Sequence, residues 1–225
     1  PIYHVDLSVY ANENDDGKMY LAKGKLNSSI ENKFWEVSNP PELKEKINDR
    51  FTDENDRKQL KRCIRYLKRW KDLKFSSEGN VAPTGIALTV ATYDYLTVSY
   101  TSDAFTNTRT YNDLEALKGM VEKMLNNFRT VYDEDEGKLV ERFVVTMPIE
   151  PYNDLFEKMS NNNMAEFKNK LSTLKEKLEK AYDEIDPVVA CEHLNKAFGD
   201  DFVIPEKTEN AVHKRQAVTG NLEGA

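Results

Sequence analysis

Nine basic residues fall between Arg57 and Lys74 (Arg57, Lys58, Lys61, Arg62, Arg65, Lys68, Arg69, Lys71 and Lys74) against one acid, Asp72. Nine cations less one anion give a local charge of +8, in a chain whose formal net charge is −7. Most charge runs are solvated faces. Like charges on one helix repel, however, and a run this dense in an otherwise acidic chain points to a phosphate-rich ligand that would relieve the repulsion. Lys61, Arg65 and Lys68 recur at helical spacing along one stripe. A second candidate is Asp6. The opening segment alternates, with Tyr3, Val5, Leu7 and Val9 on one face and His4, Asp6, Ser8 and Tyr10 on the other. Period two with β-branched and aromatic residues reads as a half-buried strand. Carboxylates are poor strand formers. Asp6 is therefore either a residue of a solvated face or a group with a purpose, and metal coordination is such a purpose.

These residues need elements to hold them. Leu60, Cys63, Ile64, Leu67, Trp70 and Leu73 fall at three- and four-residue spacing, which predicts a helix over 53–75. Thr52 can cap it, and Asp53 and Glu54 suit its first turn. Before it, residues 12–32 are polar, with Met19, Leu21 and Leu26 suggesting a hairpin partner for the opening strand. The run Phe34-Trp35-Glu36-Val37-Ser38-Asn39-Pro40-Pro41 is expected to stop regular structure. Pro41 suits the first turn of a short helix through Leu43 and Ile47. Pro83 to Tyr93 reads as a strand on propensity, yet its spacing also permits a helix starting at Thr84. Amphipathic helices are expected over Tyr111–Tyr132, with Leu114 to Phe128 inward, and over Asn163–Ile185. An acidic turn (133–137) lies between them. Asp186-Pro187 opens a last helix that Gly199 stops. Trp35 and Trp70 read as core. No internal repeat is present.

Composition narrows the classes. The chain has 225 residues, 39% hydrophobic and 32% charged, enough to bury a real core. No stretch approaches the roughly 18 apolar residues of a membrane span, and no basic-then-apolar signal segment opens the chain. Two cysteines, Cys63 and Cys191, rule out a disulfide scaffold, and three histidines without close Cys/His spacing argue against structural zinc. The reducing cytoplasm fits best. The net acidity argues against a stable nucleic-acid complex and for a local basic patch as the anion site.

Three motifs stand in order: His4-Val5-Asp6-Leu7-Ser8-Val9-Tyr10; Phe34-Trp35 with Ser38-Asn39-Pro40; and Arg62-Cys63-Ile64-Arg65-Tyr66-Leu67-Lys68-Arg69-Trp70-Lys71-Asp72 followed by Pro83-Thr84-Gly85. Together they resemble the bacterial cGAS/DncV-like nucleotidyltransferases, the signalling synthases of CBASS anti-phage defence. Asn195-Lys196-Ala197-Phe198-Gly199 is similar to that family's C-terminal helix end. The resemblance runs from residue 1 to about 205.

It implies an α+β fold: part of a nucleotidyltransferase palm with few strands (1–35), then a mainly α-helical bundle (36–205), then a flexible tail (206–225). In that family three carboxylates hold magnesium, two in an Asp-x-Asp pair after a Gly-Ser turn and the third in a sequence like this His-x-Asp. Asp6 matches the third, as a catalytic and metal-binding residue. The chain contains no Gly-Ser dipeptide, and its only Asp-x-Asp, Asp133 to Asp135, sits in the acidic turn. An opening strand without lead-in and without Met suggests a fragment whose upstream half of the active site is missing, so this chain alone is expected to be inactive. One carboxylate cannot hold the two metal ions that clamp attacking and leaving oxygens. The resemblance makes Lys68 the helix lysine that reaches a nucleoside triphosphate (ATP, GTP or another), and Thr84 the hydroxyl on the same phosphates. It also tips Pro83–Tyr93 to a helix whose amides face an anion. Gly85 departs from the serine often found there. Arg65 and Lys61 extend the nucleotide-binding stripe, and Tyr10 offers a ring for base stacking or for the core.

The reading is thus a cyclic di- or trinucleotide second-messenger synthase in antiviral defence. Its alternative is a non-catalytic helical module whose basic helix binds nucleic acid or an acidic partner. The tail, ending Asn221-Leu222-Glu223-Gly224-Ala225, is polar and aperiodic. The resemblance implies that Gly224 and Ala225 could enter a ubiquitin-conjugation-like enzyme that activates the terminal carboxylate; the alternative is an ordinary terminus.

Overall fold

A computed structural model of the chain describes residues 8–12, 14–76, 81–200 and 202–206. Asp6, Gly224 and Ala225 lie outside the described residues.

The architecture is α+β. Three short antiparallel strands, β1 (Tyr10–Ala11), β2 (Tyr20–Lys23) and β3 (Phe34–Val37), form a sheet in chain order. Tyr10 pairs with Leu21, and Leu21 with Glu36, so these three share one face; Ala22 and Trp35 share the other. Phe34-Trp35-Glu36-Val37 is thus a strand and not the expected stop. Its aromatic and β-branched residues favour the pleat, and the break comes only at Ser38-Asn39. Trp35 corrects a second expectation: it is 55% exposed and belongs to no core, whereas Trp70 is buried at 1%.

Helix α1 (Pro40–Asn48) follows, capped by the Asn39 side chain on the Glu42 amide. Helix α2 (Glu54–Lys74) is the basic helix, and Asp53, not Thr52, caps it, its carboxylate accepting from the amides of Asn55 and Asp56. A carboxylate at that position also complements the helix dipole, which a threonine hydroxyl cannot. Leu60, Cys63, Leu67 and Trp70 are buried as the spacing predicts, but Leu73, near the end, is exposed. Helix α3 (Gly85–Tyr95) buries every residue from Ala87 through Thr92, so residues with strand propensity form a helix whose middle is enclosed on all sides.

A hairpin of β4 (Tyr100–Ser102) and β5 (Arg109–Tyr111) leads into α4 (Asp113–Asn126), and a second hairpin pairs β6 (Arg129–Asp133) with β7 (Lys138–Arg142). The helix expected over Tyr111–Tyr132 is therefore shorter. Asn112 caps its start, and Arg129-Thr130-Val131-Tyr132 pairs as a strand, with Gly137 at φ 62 in the turn. Helices α5 (Asn161–Asp183) and α6 (Pro187–Phe198) close the bundle, and Gly199 stops α6 at φ 77. The core lies among α2 to α6, with Phe143, Phe156 and Phe167 packed edge-on and tilted against one another at its centre. Each such ring, fully buried, contributes about 1.5–3 kcal/mol.

Candidate functional site

The cations of α2 divide by what they touch. Arg62 forks onto both oxygens of Asp113, at 2.5 and 2.8 Å. Arg57 donates to the carbonyls of Phe51 and Thr52, Arg69 to that of Phe198, and Lys74 to that of Lys196. Lys58 pairs with Glu54 and Lys71 with Asp72. Six of the nine thus hold the bundle together or sit in surface pairs. Lys61, Arg65 and Lys68, the stripe marked by the sequence, have no hydrogen-bond or ion-pair partner among the described residues. Lys61 and Arg65 are exposed, whereas Lys68 is half-buried.

Lys68 meets the first turn of α3. A Cβ placed on Gly85 would lie 3.6 Å from Lys68 Cε and 3.9 Å from its Nζ. Thr84 caps that turn, its Oγ1 accepting from the Ala87 amide at 3.2 Å. An ammonium beside a helix N-terminus faces a like partial charge. Burial, and then the Lys71 ammonium, lower the Lys68 pKa from its ordinary value. A bound anion would satisfy both the lysine and the free amides of the turn.

Thr84 also borders a cavity of about 440 Å³. One wall is the face of the small sheet carrying Leu21, Lys23 and Glu36, the second is the start of α1 at Ser38, Asn39 and Pro40, and the third is the segment 147–158. Tyr10, paired with Leu21, stands on the same sheet face and is half-buried. The structure therefore brings Lys68 to Thr84, and Thr84 to the sheet that carries Tyr10. Of the described site residues marked in the sequence only Thr84 lines this cavity; Lys61, Arg65, Lys68 and Tyr10 do not. Segment 147–158 went unmarked in the sequence: its prolines and Asn-Asp signal only a loop. Asp133 and Asp135 lie at the β6–β7 turn and do not line this cavity. Among the described residues no group of three or more His, Cys, Asp or Glu could hold a metal ion. Cys63 is inert, since burial pushes its thiol up to about 12. No described helix is long and apolar enough to cross a membrane.

The fold, a small sheet facing a helical body across a cleft, is nucleotidyltransferase-like. Solved structures with this fold include the Vibrio cholerae DncV cyclic AMP-GMP synthase in complex with nonhydrolyzable GTP (TM-score 0.58, 22% identity, 88% of this chain and 49% of that one). The 3'-deoxy ATP bound form of the same protein (0.55, 23%, 89% and 48%) and the Escherichia coli DncV 3'-deoxy GTP bound form (0.53, 19%, 85% and 45%) are similar. The chain spans about half the length of these structures. At such identities the likeness establishes a shared fold, and it is the fold that the sequence resemblance implies. No protein-family model matches the chain.

Proposed function

We propose that the chain is part of a nucleotidyltransferase that makes a cyclic di- or trinucleotide second messenger, with residues 1–35 in its palm and 36–205 as its helical domain. The observation that carries this reading is Lys68, half-buried and without a partner among the described residues, beside the N-terminus of α3, whose cap Thr84 borders the cleft. Charge-assisted hydrogen bonds to phosphate are roughly twice as strong as neutral ones. In the reaction a 3′ (or 2′) hydroxyl attacks the α-phosphorus of a nucleoside triphosphate. A new P–O bond forms, the α–β phosphoanhydride breaks, pyrophosphate leaves, and the hydroxyl proton passes to a base. Lys68 and Thr84 would hold the triphosphate, and Tyr10 would offer its ring to a base.

Magnesium is the metal this reading implies, with Asp6 as one ligand and as the residue that helps activate the hydroxyl; the described residues add no metal cluster of their own. Service in CBASS antiviral defence, residence in the cytoplasm, and conjugation of the tail through Gly224 and Ala225 by a ubiquitin-conjugation-like enzyme belong to the same proposal and rest on the resemblance. Removing Gly224 and Ala225 should leave nucleotide synthesis intact and eliminate any conjugates in cells carrying such an enzyme.

The test is direct. The protein as its gene encodes it is incubated with four labelled nucleoside triphosphates and magnesium, and products are resolved. A cyclic product that Asp6→Asn abolishes, with the melting temperature unchanged, is the expected result. Product at the wild-type rate from that variant would overturn the assignment of Asp6. The exposed, unpartnered Lys61 and Arg65 favour one rival, a nucleic-acid-binding helix. It predicts binding that weakens with salt by about 0.7–0.9 log units per tenfold salt for each phosphate contacted, without dependence on Lys68 in particular.

A further inference from the structure

The nucleotide reading accounts for the corner where Lys68 meets Thr84, but not for the wall opposite. That wall is held firmly. Thr146 and Asp154 form an antiparallel bridge. The Met147 amide donates to the Asn153 carbonyl at 3.0 Å and the Leu155 amide to the Val145 carbonyl at 2.9 Å. Asp154 Oδ1 accepts from the amides of Val145 (3.1 Å) and Phe156 (3.0 Å). Phe156 is anchored in the aromatic core, and Glu150 is paired with Lys18 across the chain.

On this fixed backbone the Asn153 side chain is exposed and lines the cavity, and its amide has no partner among the described residues. The other asparagine of the cavity is engaged: Asn39 Oδ1 accepts from the Glu42 amide (3.2 Å) and its Nδ2 donates to the Glu42 carboxylate (3.1 Å). Lys23 and Glu36 pair with each other at 3.4 Å. A free side-chain amide on a rigid wall sets a donor beside an acceptor at fixed spacing. That is the complement of adenine, whose N7 accepts while its N6 amino group donates; the same edge of guanine presents two acceptors. Leu21, Ile86 and Leu155 on the same cavity supply apolar surface for the faces of a ring.

We propose that Asn153 reads the base of the nucleotide whose phosphates meet Lys68 and Thr84, and that this base is adenine. The proposal rests on the nucleotide reading above, and its test separates the two. The full chain is titrated calorimetrically with ATP, GTP, CTP, UTP and inorganic tripolyphosphate. Wild type should prefer ATP. Asn153→Leu, which keeps the shape but removes both donor and acceptor, should weaken ATP about tenfold or more relative to GTP. Asn153→Ala should erase the preference, and tripolyphosphate should bind equally to all three proteins. An ATP-to-GTP ratio unmoved by either variant, with binding still lost in Lys68→Ala, would overturn the role of Asn153 and leave the nucleotide reading standing. If no nucleotide binds, or Lys68→Ala changes nothing, the nucleotide reading falls and this inference with it. Melting temperatures of both variants guard against misfolding as the cause.

Discussion

At the scale of single residues, a run of nine cations is three different things. Arg62 is structural because Asp113 stands opposite it, itself also held by the Gln59 amide at 3.0 Å. Lys74 is structural because the last carbonyls of α6 need a donor. Lys68 is held where it has nothing to bind. Lys68→Ala should therefore cost nucleotide affinity roughly tenfold or more, as loss of a charge-assisted contact of about 1.5–3 kcal/mol requires. Lys74→Ala should cost a little stability and no affinity. Equal losses of affinity, measured by calorimetry, would mean a diffuse basic surface. A pH titration sharpens this. Because burial and Lys71 lower the Lys68 pKa, the free protein gives up that proton below the ordinary lysine value of 10.5. Nucleotide affinity should be flat below the lowered pKa and decline above it, since phosphate favours the ammonium. The unliganded fold should show the opposite trend: in the window between the lowered pKa and the ordinary one the unfolded chain holds the extra proton, so stability rises with pH. Lys68→Arg, which does not titrate there, should flatten the binding profile; an unchanged decline would assign it to another group.

At the scale of elements, α3 shows what sequence could and could not reveal. Its residues are those of a strand by propensity, and it is helical because Thr84 caps it and the bundle encloses its middle on all sides. Tertiary burial overrides propensity there. Helices α2 and α5 were legible because their apolar stripes are long and regular. The strand character of Phe34–Val37 and of Arg129–Asp133 was not, because each is a short segment that becomes a strand only by pairing with a neighbour across a hairpin or loop. The candidate site divides in the same way: Lys68 and Thr84 were marked by motif, whereas Asn153 becomes visible only when its backbone is seen pinned against the cavity. Thr84 itself has two functions, cap and phosphate hydroxyl, and substitution can separate them. Thr84→Ala should lower stability by about 1 kcal/mol through loss of the cap and weaken nucleotide as well. Thr84→Asn restores an acceptor for the Ala87 amide and so the stability, but not the hydroxyl. Wild-type affinity in Thr84→Asn, with the melting temperature recovered, would remove the hydroxyl from the site.

At the scale of the whole molecule, the sheet and the bundle are unequal partners. No residue of β1, β2 or β3 belongs to the buried core, which begins at Leu60 in α2. What joins the sheet to the body in the described residues is the α1 connection, the Lys18–Glu150 pair and the shared walls of the cavity. Few buried apolar contacts mean that an element opens at a free energy well below that of global unfolding. Amides of β2 and β3 should therefore exchange with solvent through local opening, faster than those of α2, α3 and α5, which should exchange only at the global limit. A nucleotide that bridges the Lys68 corner, the sheet face and the 147–158 wall binds only when the sheet is in place. Nucleotide at a hundredfold excess over its Kd would then stabilise the closed sheet by about 2.7 kcal/mol, slowing exchange of the β2 and β3 amides roughly a hundredfold. Amides in the β6–β7 hairpin, remote from the cavity, should be unaffected. Native-state hydrogen exchange with and without ATP measures both. If protection rose at Lys68 and the first turn of α3 but not in the sheet, the nucleotide would be held by the bundle alone, and the cavity between them would have no part in its binding.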